Sequence, residues 1–449
     1  MWRIAAVVGV GMLLGCAVRH GRPAKTVEAV ATPTTTQPSA YAAEKRPKVV
    51  VLCSRGGYTH VSLARVVREL IGHRYDVEVV YVFDEVPPRV TPTLARLAGA
   101  AESGDALYNR LLRQDKRKTL NFVSEYLTRS YFRRHRRRVA QVIGESIEQA
   151  RTEMLISLVP FVNGAAMMAA RQRGIPLLVV SVDSSLRMWL PDMTRPAYKR
   201  AAMLLAYDLP AMHKALDRAG WPAAARHYAG LPPRAEFFHP LPKEQAKQRL
   251  GISPDRFTLM VMMGGSGSSA SVRYVRELAQ AGFSGHVIVA AGRNERLLKE
   301  LARVRLPPSL SATYVGFTNQ IAEYLSAADV LLTKPGPTTF HEAIQLGLPL
   351  LIENTGTLLE WEAPTVNFVQ QQGLGMVLKK VSKLPVVLAQ LRDDAAIRTR
   401  LRANVWRYRE QLPGFRRTLC QAVGGLLNVE DEEILHHCRA QAYLAASDE

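Results

Sequence analysis

The chain has 449 residues, 47% hydrophobic and 22% charged, enough for two or three ordinary domains with sizeable cores. Its 59 Lys and Arg against 39 Asp and Glu leave a formal net charge of +20, so an anionic partner is expected: nucleic acid, an acidic membrane surface or a phosphorylated ligand. Cys16, Cys53, Cys420 and Cys438 include no C-x-x-C pair, which argues against a disulfide framework or a structural zinc site.

The N-terminus comes first in chain order. Arg3 precedes an apolar or small run, Ile4–Val18. A membrane span needs about 20 residues, so this run fits better the apolar region of a signal peptide. Leu13-Leu14-Gly15-Cys16 resembles the lipobox of bacterial lipoproteins, which makes Cys16 a candidate lipidation site; an uncleaved anchor is the alternative. Residues 1–20 are therefore expected to be a signal, lipobox or anchor segment. Residues 21–47 carry the Thr/Pro-rich run Ala31–Pro38 and are expected to be a flexible linker.

A β–turn–α–β unit is expected next: strand Val49–Cys53, a glycine turn Arg55-Gly-Gly-Tyr58, a helix over Val61–Ile71 and strand Val77–Val82. Cys53 lies in an apolar run and reads as a small buried hydrophobe. Met154–Val159, Leu177–Val182 and Met203–Tyr207 extend this sheet. The chain then becomes proline-rich over Leu231–Pro242, and βα alternation restarts. Strands are expected at Thr258–Met263, His286–Ala290, Ala312–Val315, Val330–Leu332 and Leu350–Ile352, with a glycine turn Gly264-Gly-Ser-Gly267 after the first. The fold class is therefore α/β, with two Rossmann-like lobes. The expected divisions are an N-terminal lobe over 48–240, a C-terminal lobe over 241–394, and closing helices with a tail over 395–449.

Leu107–Arg138 has eleven Lys/Arg and two Asp/Glu, a balance of +9. Leu120, Val123, Leu127 and Tyr131 recur at helical spacing, and a basic amphipathic helix suits a membrane surface. Arg133, Arg134, Arg136, Arg137 and Arg138 are the expected membrane contacts. Nucleic-acid binding by the same run, or a solvated helix whose stripe packs on the body, are the rival readings.

Asp329–Lys334 reads as a strand that ends at a Pro335-Gly336-Pro337 turn. Thr338 or Thr339 is expected to cap a helix starting near Phe340. Such a junction aims free backbone N–H groups and the positive end of a helix dipole at one point, where an anion fits. Glu342, placed in the first helical turn, can accept hydrogen bonds from ribose hydroxyls; a plain βα turn is the alternative.

Several blocks occur here in a characteristic order: Gly292-Arg-Asn294, Val315-Gly-Phe-Thr318, Ala328-Asp329, Thr333-Lys-Pro-Gly-Pro-Thr338 with Glu342-Ala343, and Gly347-Leu-Pro349. Gly292–Leu378 thereby resembles the C-terminal domain of glycosyltransferase family 28. The likeness is to its diacylglycerol-glycosylating branch, the monogalactosyl- and glucosyl-diacylglycerol synthases. The resemblance implies a GT-B fold, with the substrate cleft between the lobes. It also implies a UDP-sugar donor substrate, with no separate cofactor and no bound catalytic metal. It places Phe317 near uracil, Glu342 on the ribose, and the Gly336-Pro337-Thr338 turn near the diphosphate. The expected donor set is Gly264, Gly265, Ser266, Arg293, Asn294, Phe317, Lys334, Gly336, Pro337, Thr338, Thr339 and Glu342. Glu360 or Glu362 would touch the sugar.

In the first lobe, Gly56-Gly-Tyr-Thr-His60 resembles the family's histidine-bearing glycine loop, although Tyr58-Thr59 stands where one glycine is usual. His60 is the expected general base, its pKa lowered by the helix N-terminus. Asp183, followed by Trp189, resembles an Asp and Trp of the lipid-glycosylating enzymes. It is expected to orient His60 or to bind the acceptor hydroxyl. The implied reaction moves a hexose, galactose or glucose, to a lipid, foremost diacylglycerol, at an anionic membrane surface on the cytoplasmic face, without nucleic acid. A polyprenyl-linked sugar acceptor is one alternative. An exported lipoprotein that keeps the lobes as a non-catalytic binding module is another, because UDP-sugars are cytosolic while Cys16 suggests export.

Overall fold

The structure is a computed structural model that describes residues 46–91, 103–193, 198–265 and 267–427. Cys16, the N-terminal segment, Ser266 and Cys438 lie outside the described residues.

The apolar runs expected as strands form two six-stranded parallel sheets. The first comprises β1 (Lys48–Cys53), β2 (Asp76–Tyr81), β3 (Thr152–Ser157), β4 (Leu177–Ser181), β5 (Ala201–Leu205) and β6 (Arg226–Tyr228), in the order β2-β1-β3-β4-β5-β6. The second comprises β7 (Thr258–Met262), β8 (Gly285–Gly292), β9 (Leu310–Gly316), β10 (Val330–Thr333), β11 (Leu350–Glu353) and β12 (Gly375–Leu378), in the order β12-β11-β10-β7-β8-β9. Continuous apolar runs suit this arrangement, because helices cover both faces of a parallel sheet. Val49 to Cys53 and Leu259 to Val261 are fully buried. Hydrophobic patterning did not reveal β6, which is Arg-His-Tyr, or β12, a short and only partly buried Gly-Met-Val-Leu run.

Each sheet reverses its strand order once. In the first, chain order reverses between β1 and β3; in the second, between β7 and β10. Ligands of open α/β sheets bind at the carboxyl ends of the strands where the order reverses. Both reversal points open on one cleft, so the glycine loop after β1 faces the turns after β7 and β10.

The two lobes join below that cleft. Tyr207 of the first lobe packs on Phe340, His341 and Phe368 of the second, with ring centroids 5.5, 5.2 and 6.1 Å apart. The helix Ala395–Gln411 lies against the helix Pro337–Gln345, and the final helix Phe415–Leu427 returns to β4, β5 and β6 of the first lobe. Cys53 is a buried free thiol that burial pushes up to about 12, whereas Cys420 is disulfide-bonded.

Two local expectations are also corrected. The donor-turn helix starts at Pro337 with Gly336 as its N-cap, and neither threonine caps it. Proline suits the first helical position, since its fixed φ is helical and its missing N–H has no partner there. Glu342 consequently sits in the second turn. The basic stretch, in turn, is not one helix. It runs as Gly104–Arg113, Arg117–Phe122, a π-helical turn Val123–Thr128, Arg129–Arg134 and Arg136–Ala150. Asp115 breaks it with a φ of 56°. Leu120 is buried, and Val123, Leu127 and Tyr131 are half-buried, so the apolar stripe packs on the body. The exposed side carries Phe122 and Tyr126, 51% and 59% exposed, with ring centroids 5.4 Å apart. Arg133, Arg134, Arg137 and Arg138 are exposed, and Arg136 is partly so, with Asp192 3.6 Å from it. Among the described residues no helix is long and apolar enough to cross a membrane.

Candidate active site

The interlobe cleft has a volume of about 400 Å³. Its second-lobe wall is built from three turns at strand ends. The glycine turn after β7 interlocks with the end of β8: the Arg293 amide donates to the Gly265 carbonyl at 3.1 Å. Gly292, at φ 57°, lies so close that a side chain would collide with that carbonyl. After β10, the Gly336 N-cap leaves the amides of Thr338 and Thr339 at the start of a nine-residue helix with no preceding turn to bond. A Cβ on Gly336 would sit 3.2 Å from Lys334 Cε and 3.4 Å from Glu362 Oε1, so glycine permits the close approach of that pair. Lys334 Nζ donates to Glu362 Oε1 at 2.6 Å, with both side chains largely buried.

Glu342 lies on the cleft wall with its side chain 1% exposed, and its Oε1 accepts from Arg234 Nε at 2.7 Å. Burial pushes this carboxyl above its ordinary value, and the Arg234 guanidinium opposes that rise. Arg293 stacks over Phe317 at 4.0 Å, and the half-exposed ring forms a flat platform at the cleft edge. Arg234 comes from the proline-rich connection, which composition marked only as a boundary.

The first-lobe wall holds His60. Its Nδ1 lies 2.6 Å from the Leu158 carbonyl, which can only accept, so Nδ1 carries the proton and Nε2 keeps its lone pair. Among the described residues no protein group partners Nε2. Burial lowers this histidine to about 4, against a weaker opposing effect of the Leu158 bond. The ring is therefore neutral at pH 7. Burial, more than the helix end, accounts for the shift.

Asp183 is buried in the same cleft, 7% exposed, and accepts from Trp189 Nε1 at 2.7 Å. It does not orient His60; the Leu158 carbonyl has that role. Burial raises this carboxyl to about 7, with Glu362 adding to the rise, against the Trp189 bond and Lys334. A folded-state value above the unfolded one means that the native protein binds this proton more tightly. Its stabilising contribution is present at low pH and is lost as pH rises through about 7. Asp183→Asn is therefore expected to raise Tm at pH 8, and by progressively less as pH falls from about 7 toward the ordinary 3.8 of this carboxyl. Trp189 fluorescence is expected to titrate near pH 7 in the parent and not in the variant.

The cleft thus gathers His60, Asp183, Gly264, Gly265, Arg293, Phe317, Lys334, Gly336, Pro337, Thr338, Thr339, Glu342 and Glu362. Two expected residues stand elsewhere. Asn294 caps the helix Glu295–Leu301, its Oδ1 accepting from the Leu297 amide at 3.0 Å. Glu360 points to the surface, 3.9 Å from Arg187, because the loop turns its backbone toward Asn121. Tyr108, Asn109, Arg117 and Trp361 line the cleft without having been expected there. The first three sit in the stretch whose charge drew attention to its surface. Among the described residues, no group of three or more His, Cys, Asp or Glu is arranged to hold a metal ion.

The comparisons with known proteins bear on this geometry. Residues 258–354 match the glycosyltransferase family 28 C-terminal domain. The match runs from β7 through β11, so the family 28 region contains the glycine turn, the donor turn and Glu342. The chain is 24% identical over 361 residues to a probable chloroplastic monogalactosyldiacylglycerol synthase of Nicotiana tabacum, covering 77% of this chain and 65% of that one. It is 22% identical over 362 residues to the processive diacylglycerol beta-glucosyltransferase of Bacillus subtilis, covering 80% and 90%. The chain thus spans just under two thirds of the plant relatives' length. Among solved structures it resembles MurG of Acinetobacter baumannii, with TM-score 0.53, 16% identity, and 85% and 99% coverage. It also resembles Anabaena HepE in complex with UDP, with TM-score 0.53, 14% identity, and 85% and 100% coverage. These likenesses show the GT-B fold of the family 28 region and its partner lobe.

Proposed function

We propose that this protein is a glycosyltransferase that moves a hexose, galactose or glucose, from a UDP-sugar to the free hydroxyl of diacylglycerol at a membrane surface. The observation that carries the reading is the opposition across one cleft of a neutral, unpartnered His60 Nε2 and the open helix N-terminus at Gly336–Thr339. The first is a base, and the second is an anion site.

In this reading the acceptor oxygen attacks the anomeric carbon while its proton passes to His60 Nε2. The bond between that carbon and the diphosphate oxygen breaks. UDP leaves with the electron pair, its charge met by the Thr338 and Thr339 amides and by Arg293. Phe317 stacks on the base, Glu342 faces the ribose, and the Lys334–Glu362 pair faces the sugar hydroxyls. The diacylglycerol acceptor is supported by the names of the relatives and by an apolar path. Tyr108, Leu112 and Trp361 in the cleft wall belong to the same apolar cluster as Leu107 and Val123, next to the exposed Phe122 and Tyr126. Those two rings between Lys118 and Arg129, with the Arg133–Arg138 cluster beyond, suit an anionic leaflet at the cytoplasmic face.

The deciding assay incubates the full chain with diacylglycerol vesicles and labelled UDP-galactose or UDP-glucose. Labelled hexosyl-diacylglycerol is the expected product. Product formed only with a polyprenyl-linked sugar would replace the acceptor, and UDP binding without any transfer would make the lobes a binding module. Phe122→Ser with Tyr126→Ser is expected to weaken sedimentation with anionic vesicles roughly tenfold, since two interfacial rings are lost. Unchanged sedimentation would remove this face from the membrane contact.

A further inference from the structure

The segment between Gly104 and Phe122 touches both walls of the cleft, and none of the roles described above explains its bonds. Its first helix presents Asp105 and Asn109 one turn apart on one face. Asp105 Oδ1 accepts from Ser54 Oγ at 2.7 Å and Oδ2 accepts from the Arg55 amide at 2.5 Å. Asn109 Oδ1 accepts from the Gly57 amide at 3.0 Å, and its Nδ2 donates to the Arg55 carbonyl at 2.8 Å. These four bonds hold the loop that leads directly into Thr59 and His60.

The next helix reaches the other lobe. Arg117 Nη1 donates to Glu353 Oε2 at 2.8 Å, where Glu353 is 2% exposed at the end of β11. Asn121 Nδ2 donates to the Leu358 carbonyl at 2.8 Å, and its Oδ1 accepts from the Glu360 amide at 3.3 Å. These bonds hold the loop that ends at Trp361 and Glu362. Paired side-chain and backbone bonds thus fix the glycine loop before His60, and on the other side add to the packing of Leu359 and Trp361, which are 2% and 8% exposed.

We infer that Gly104–Phe122 is a positioning strap that sets the two reacting loops against each other. Asp105 and Asn109 are positioning residues for the His60 loop, and Arg117 and Asn121 for the Glu362 loop. The kinetic consequences rest on the proposed transferase reading; the mechanical ones do not. The two halves of the strap predict different defects. Loosening the His60 loop slows proton removal, whereas loosening the Glu362 loop weakens the grip on the sugar.

The test compares the full chain with Asn109→Ala and Asn121→Ala, by hydrogen–deuterium exchange and by steady-state kinetics. Arg117 is left intact because its removal would strand the buried Glu353 carboxylate and threaten folding. Asn109→Ala is expected to speed exchange about tenfold across residues 55–60 and not across 354–362. It should lower kcat about tenfold with the KM for UDP-hexose within about twofold. Asn121→Ala is expected to speed exchange across 357–362 alone and to raise the KM for UDP-hexose about tenfold, with UDP affinity by calorimetry unchanged. Identical exchange patterns in the two variants, or faster exchange confined to Gly104–Phe122 itself, would overturn the strap. If the parent transfers no hexose, the function falls while the exchange data still decide the strap.

Discussion

His60→Ala is expected to lower kcat about 100- to 10,000-fold while leaving UDP affinity within about twofold. The side chain sits on the wall opposite the donor turns, so its removal deletes the proton acceptor and leaves the anion site whole. Its bond to the Leu158 carbonyl already sets the tautomer with Nε2 free, and burial keeps the ring neutral down to about pH 4. The acid limb of kcat/KM is therefore expected near pH 4, well below the 6.5 of an ordinary histidine. Stability behaves differently. His60 is lowered in the folded state, so between pH 6.5 and about 4 the unfolded chain takes up a proton that the native chain refuses. Its contribution to stability is accordingly lost as pH falls through that window. Initial-rate and melting profiles measured side by side separate the two effects. Wild-type-like turnover in His60→Ala would exclude this residue as the base.

Glu342→Ala is expected to weaken UDP binding roughly 10- to 100-fold, the cost of losing charge-assisted hydrogen bonds of about 1.5–3 kcal/mol. The same change leaves Arg234 without its 2.7 Å partner in a mostly buried position. Some stability is lost with it, less than for a fully buried pair because Arg234 is 22% exposed. Arg234 then keeps only Glu236, at 3.2 Å, and the double variant Glu342→Ala, Arg234→Ala removes this half-paired charge. It is expected to recover most of the Tm and none of the UDP affinity, so calorimetry and melting together distinguish a ligand contact from a scaffold contact. Unchanged UDP affinity in Glu342→Ala would remove this carboxylate from the donor site.

Sequence and structure divide the work at identifiable residues. The β-branched and leucine-rich runs at Val49–Cys53, Thr258–Met262 and Val330–Thr333 are short, continuous and bounded by turn residues. A run of that kind has one stable home, a strand covered on both faces, so ten of the twelve strands were legible. β6 and β12 were not, since they are three and four residues long and only partly buried, too short a pattern to stand out from loop. The donor turn was legible because Pro335-Gly336-Pro337 constrains φ locally and ends a strand. Even there the helix start was misplaced, because Pro337 at the first helical position takes over the boundary that a threonine cap would have set.

Chain composition and local spacing thus determined the α/β class, the succession of two sheets along the chain and the turns at their strand ends, all set by short-range sterics and by apolar burial, while the cleft between the lobes was implied by the resemblance to family 28. Only the tertiary structure decided which side chain meets which. Asp183 bonds Trp189 and not His60, Asn294 caps a helix outside the cleft, and Glu362 faces Lys334 while Glu360 faces solvent. Arg234 reaches Glu342 across 108 positions, and Arg117 reaches Glu353 across 236. The last two pairings follow from how the two lobes are held together. Ion pairs and hydrogen bonds between residues that distant leave no periodicity in the chain, because their partners are brought together only when the apolar faces pack.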